Sequence, residues 1–219
     1  MTTFPNSPRV LKAGIVLADP ATAAVQRIIV LQYNPDSVSR TLQVQATGGE
    51  GGNRFEPLRI KGPAVETITL KAEIDATDQL EFPSLNPVAV EVGIHPHLAA
   101  LETVLYPSSG TLIANNVLAQ VGTLEIAPIQ APLTLFVWSK QRVVPVRITE
   151  FSVTEQAFDP ALNPIRAEVS LGMRVLSVDD LGFEHRGGGI FMSYLQVKEQ
   201  LAARARRGTL SELGITRLP

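Results

Sequence analysis

Cysteine is absent from the 219-residue chain. That excludes disulfides, thiolate zinc sites and cysteine nucleophiles together, and it leaves the redox compartment open. Histidine is scarce, at three residues, and none of Ser39, Ser84, Ser108 or Ser109 sits in a GxSxG elbow. Aromatic residues make up 5% and are not interleaved with basic ones, so no stacking platform for single-stranded nucleic acid is expected. Charged residues are 18% of the chain, below the ~25% of an average soluble domain. With a formal net charge of −2, no global field draws in nucleic acid or an anionic membrane. Long apolar runs are also missing. Arg27–Leu31 stops at Gln32 and Ala131–Trp138 contains Pro132, whereas a spanning helix needs roughly 20 apolar residues. The opening MTTFPNSPRVLKAG lacks the charged-then-apolar pattern of a secretory peptide. A soluble, cytoplasmic protein is expected, with a surface neutral enough for a subunit of an assembly.

What is present is 45% apolar residue content, enough for a core, punctuated by sixteen glycines and sixteen prolines. The β-branched runs between them read as strands: Val10–Ala18, Val25–Tyr33, Ser37–Gln45, Val65–Ile74, Leu133–Trp138, Val143–Phe158 and Ile165–Val178. In Val65–Ile74 the alternation sets Glu66, Ile68, Leu70, Ala72 and Ile74 on one face, the mark of a strand buried on one side. The alternation in Val143–Phe158 slips once near Glu150–Phe151, which predicts a bulge. Asn34-Pro35-Asp36 predicts a turn, and GGEGGN at 48–53 a flexible loop. Helical spacing predicts a helix over His97–Tyr106 between two prolines and a second over Ile190–Arg207, stopping at Gly208. Leu112–Val121 is ambiguous. The expected fold is mainly β, with a body over residues 1–185. Residues 186–219 are expected as a glycine hinge at Gly187-Gly188-Gly189 followed by an amphipathic helical tail.

Three clusters invite a chemical reading. His95-Pro96-His97 offers two imidazoles, but no carboxylate stands at ligand spacing, so a turn entering a helix is expected rather than a metal site. Glu73, Asp75, Asp78 and Glu81 are carboxylates of the kind that serve as a glycosidase acid and base or bind calcium, but their spacing matches no calcium loop and lacks its central glycine; a solvated edge or a charged subunit contact is expected. Arg186 to Gly189 precedes a helix without GxGxxG or Lys-Ser/Thr, so it reads as a hinge rather than an anion cradle. No catalytic constellation, cofactor site or metal site is expected, and no enzymatic reaction.

The segment Gln32-Tyr33-Asn34-Pro35-Asp36-Ser37-Val38-Ser39-Arg40-Thr41 resembles the Phe/Tyr-Asn-Pro-x-x-aliphatic-Ser-Arg opening of the tube-type baseplate proteins of contractile injection systems, relatives of phage tail proteins. Ile60–Pro63 with Glu66–Asp78 is similar to that family's next block. The run from His95 to Pro107 is similar to its helix. The resemblance implies a tail-tube-like β-barrel or split barrel with a packed helix and a C-terminal helical arm. It implies a hexameric ring that joins an inner tube to a spike and hub, in a particle that is released or docked at a membrane. Relatives often carry a C-terminal LysM module; the residues after Val178 do not supply one, so peptidoglycan binding through LysM is not implied. Expected contact residues are Asn34, Pro35, Asp36, Ser39 and Arg40 in the turn, Glu73, Asp75, Asp78 and Glu81 in the acidic segment, and Tyr194, Leu201 and Arg204 in the tail helix. The alternatives are a peptidoglycan-binding or cell-wall-hydrolysing baseplate module and an inner-tube protomer.

Overall fold

A computed structural model describes residues 10–46, 59–120, 131–206 and 208–218. The loop expected at 48–53 lies outside these residues, as do Val121 and Arg207. Seven strands form one antiparallel sheet: β1 (Gly14–Ala18), β2 (Val25–Val30), β3 (Val38–Gln43), β4 (Val65–Asp75), β5 (Leu133–Ser139), β6 (Arg142–Phe158) and β7 (Pro164–Val175). Their order is β2-β1-β5-β6-β7-β4-β3. The fold is mainly β, as expected, and the sheet is not closed, so a closed barrel is not formed.

Strand β6 turns the corner. Its first residues pair with β5 (Leu135 opposite Pro145), and the rest pair with β7 from Val146 to Phe158. The predicted slip appears as a bulge between Ile148 and Glu150. An extra residue there restores the inward phase, so Ile148, Phe151 and Val153 all pack against the core. Gly172 lies opposite Glu150, and a Cβ at 172 would come 2.9 Å from the Glu150 Cβ. The close approach of the bulged strand therefore requires glycine there. In β4 the expected face is buried: Glu66, Ile68, Leu70, Ala72 and Ile74 point inward, while Lys71 and Glu73 are exposed. They meet Ala167, Val169, Leu171, Met173 and Val175 of β7 in one continuous core.

Among the described residues six helices decorate the sheet: α1 (Thr77–Leu80), α2 (Pro87–Val92), α3 (His95–Glu102), α4 (Ser109–Gln120), α5 (Val178–Leu181) and α6 (Arg186–Ala203). Helix α3 starts two residues earlier than predicted, because Pro96 near its first turn loses no hydrogen bond there. It ends at Glu102 rather than Tyr106. Ile94, Leu98 and Leu101 tie it into the core. The ambiguous stretch is helical, as α4, with no buried residue.

The glycine triplet corrects the expectation of a hinge. Gly187, Gly188 and Gly189 lie in the first turn of α6, not before it. Gly187 and Gly188 are buried, and a Cβ on Gly188 would overlap the carbonyl oxygen of Gly182. Small residues are used here to seat the helix start against the turn after α5, not to loosen the chain. The Nδ1 of His185 caps the helix by accepting from the Gly187 N–H at 3.0 Å.

Candidate functional site

Strand β3 is a sheet edge, β4 is its neighbour, and α6 packs across the same face. Their polar side chains converge on one buried carboxylate. Glu66, 3% exposed, stands in phase with the apolar residues of β4. The Nε of Arg40 on β3 donates to its Oε1 at 2.7 Å. From α6, the Lys198 Nζ donates to Oε2 at 2.8 Å, and the Tyr194 hydroxyl donates at 3.0 and 3.2 Å. Arg40 also donates to the Tyr194 oxygen at 3.3 Å, and the Lys198 ammonium lies 4.1 Å from the centre of the Tyr194 ring. Burial pushes the Glu66 carboxyl up, but the hydrogen bonds and charges of Lys198 and Arg40 outweigh it and hold it below its ordinary value. Glu66 also raises Arg40 against the opposing effect of burial.

A buried carboxylate held by three donors from two elements is kept ionised. Its work is to fasten α6 to the edge of the sheet. Next to it runs a groove of about 460 Å³ lined by Leu42, Pro63, Phe191, Met192 and Leu195, with Glu66 and Lys198.

The expected contact residues divide. Arg40 and Tyr194, placed in separate contact sets by sequence, meet at Glu66. Tyr194 is buried and engaged within the chain, not offered to a partner. The Asn34 side chain is also engaged internally: its Oδ1 accepts from the Ala13 N–H at 2.9 Å, and its Nδ2 donates to the Leu11 carbonyl at 2.7 Å. Asp75 is held by Arg166 at 2.7 Å and by Thr77. Burial pushes the Asp75 carboxyl up, while Thr77 and Arg166 together leave it below its ordinary value. Pro35 is half-buried, and Asp36, Ser39, Glu73, Asp78, Glu81, Leu201 and Arg204 are exposed. Apart from the meeting of Arg40 and Tyr194, the turn, the acidic segment and the tail helix are not gathered into one site among the described residues. Sequence reading missed Glu66 as a functional residue. The signal was an acid on the apolar face of β4, where a charge persists only if paired.

Among the described residues, no three histidine, aspartate or glutamate side chains gather as metal ligands. No helix among them is long and apolar enough to cross a membrane.

The two end strands carry a different kind of feature. In β2 only Ile29 is buried; Val25, Ile28 and Val30 are exposed, and beyond β1 the strand has no described neighbour. At the other end β3 exposes Leu42.

No protein-family model matches the chain, and no curated protein matches it. Among solved structures it is similar to a chain from the tail of an empty gene transfer agent (GTA) particle, computed with helical refinement in C6 symmetry. The identity is 12%, the match covers 75% of this chain and 90% of that chain, and the TM-score is 0.28.

Proposed function

We propose that the chain is a structural subunit of a phage-tail-like contractile injection machine: a non-enzymatic baseplate component that joins the inner tube to the spike and hub as a ring of six. The observation that carries this reading is the open sheet, whose terminal strands β2 and β3 each have one strand neighbour among the described residues and expose Val25, Ile28, Val30 and Leu42. Such edges aggregate unless they are covered, and a ring of copies covers them with the same contact repeated. The three ordered sequence blocks that resemble tube-type baseplate proteins support the same role. So does the polar cluster at Glu66, which fastens a helix to the sheet.

The test is assembly. The full chain, mixed with the tube, spike and hub proteins of its machine, is expected to form rings by native mass spectrometry and negative-stain microscopy. The double variant Ile28→Asp, Val30→Asp, with circular dichroism unchanged, is expected to stay out of them. A chain that remains monomeric beside all those components, or that turns over a cell-wall substrate, overturns the reading.

A further inference from the structure

The charge of the chain is unevenly placed. Between Lys71 and Lys140 there is neither lysine nor arginine. That stretch supplies α1, α2 and the 3₁₀ turn Pro83–Leu85 between them, which expose Phe82, Leu85, Val88 and Val90. The tip of the β6–β7 hairpin lies alongside: the Asn163 Nδ2 donates to the Glu91 carbonyl at 3.1 Å, and the Ile94 N–H donates to the Pro164 carbonyl at 2.9 Å. The tip adds exposed Phe158 and Leu162. Leu162, in the hairpin turn, and Ala157, just before it, hold φ of 66° and 51°. A cavity of about 230 Å³, lined by Leu85, Pro87, Val88 and Pro96, indents this face. Asp78 and Glu91 lie in α1 and α2 and Glu81 follows α1; all three are exposed and form no ion pair among the described residues.

The other end of the chain has the opposite character. After α6, residues 208–218 are exposed throughout, so the tail is not seated on this face of its own chain. Leu210, Leu213, Ile215 and Leu218 are exposed there. Arg204 and Arg217 have no ion pair among the described residues, and the one acid, Glu212, is taken by Arg206 at 2.8 Å. One chain thus carries an apolar face whose helices bear exposed acids and an apolar segment with basic residues. Contiguous exposed apolar surface of this kind marks docking, and opposite charge selects the partner.

We propose that the C-terminal segment of one copy, residues 204–206 and 208–218, docks on the face formed by α1, α2 and the hairpin tip of a second copy. This rests on the reading of the chain as an assembling subunit. The two surfaces differ, so the contact is heterologous and repeats from copy to copy around a ring or along a stack.

The absence of cysteine makes the contact easy to trap. Full chains carrying Val88→Cys and Leu213→Cys are mixed and oxidised with diamide. The expected product is the mixed disulfide dimer in excess over either homodimer, and a chain bearing both changes yields a ladder of multimers. Reversal at Arg204→Glu and Arg217→Glu is expected to weaken self-association roughly tenfold in sedimentation velocity. Adding Glu81→Arg and Glu91→Arg restores it. If the doubly substituted chain gives only an intrachain disulfide, its own tail is the occupant and the proposal fails. If the wild type assembles and the reversals change nothing, the proposal fails while the subunit reading stands. If the wild type never self-associates, alone or with its tail components, both fall.

Discussion

The carboxamide of Gln32 pairs with the main chain of Asp75, donating from Nε2 to the Asp75 carbonyl at 2.5 Å and accepting at Oε1 from the Asp75 N–H at 2.9 Å. Gln32 follows β2, one end strand of the open sheet. Asp75 ends β4, next to the other end. One side chain therefore does the work of a strand residue and pins the two margins of the sheet at a point, with Ile29, Ile74 and Leu101 packed nearby.

Gln32→Glu removes the donor and sets a second negative charge beside the Asp75 carbonyl. A loss of about 1–2 kcal/mol is expected from the lost donor bond and the repulsion of the new carboxylate by the Asp75 carbonyl, read as a lower urea midpoint. Amide exchange at Asp75 should accelerate more than exchange in the centre of β4. Unchanged protection at Asp75 would show that the margin is held by packing alone.

The Glu66 cluster predicts a coupled loss. Glu66→Ala strands Arg40 and Lys198 against the sheet and is expected to cost roughly 2–4 kcal/mol. Tyr194→Phe removes one donor and costs about 1 kcal/mol. The pair should be non-additive in a double-mutant cycle, since both changes break the same contact. Limited proteolysis should then cut first between α5 and α6.

Acid should expose the same residue. The folded value of Glu66 lies below its ordinary 4.5, and that of Asp75 lies below 3.8. A carboxyl lowered on folding adds stability above its unfolded value, and that contribution is lost as pH falls through the folded one. Urea midpoints are expected to hold from pH 7 to about 5 and to fall steeply below about 4. Glu66→Gln, less stable at neutral pH, should show a shallower acid fall. Parallel curves for the two proteins would remove Glu66 from the account.

The glycine triplet separates packing from propensity. Gly188→Ala collides with the Gly182 carbonyl and is expected to destabilise by more than about 2 kcal/mol. Gly189→Ala meets nothing within 4 Å, so it should stabilise by roughly 0.5–1 kcal/mol through helix propensity. Equal effects at the two positions, measured by thermal unfolding, would contradict the seating of α6.

Sequence alone determined the strands, the buried face of β4 and the bulge in β6, because side-chain period is a property of consecutive residues. It also placed Glu66 on the apolar face without saying what neutralised it. Tertiary structure decided the strand order, the open sheet and the partners of Glu66. Arg40 and Tyr194 are 154 residues apart along the chain, and no local pattern encodes a meeting at that distance. It also reversed the meaning of the glycine triplet. By itself a run of three glycines reads as a hinge, since glycine is the freest residue; only the nearness of Gly182 and Leu181 reveals that the missing side chains make room for a helix. Short-range periodicity writes the elements, and long-range packing chooses what each of them touches.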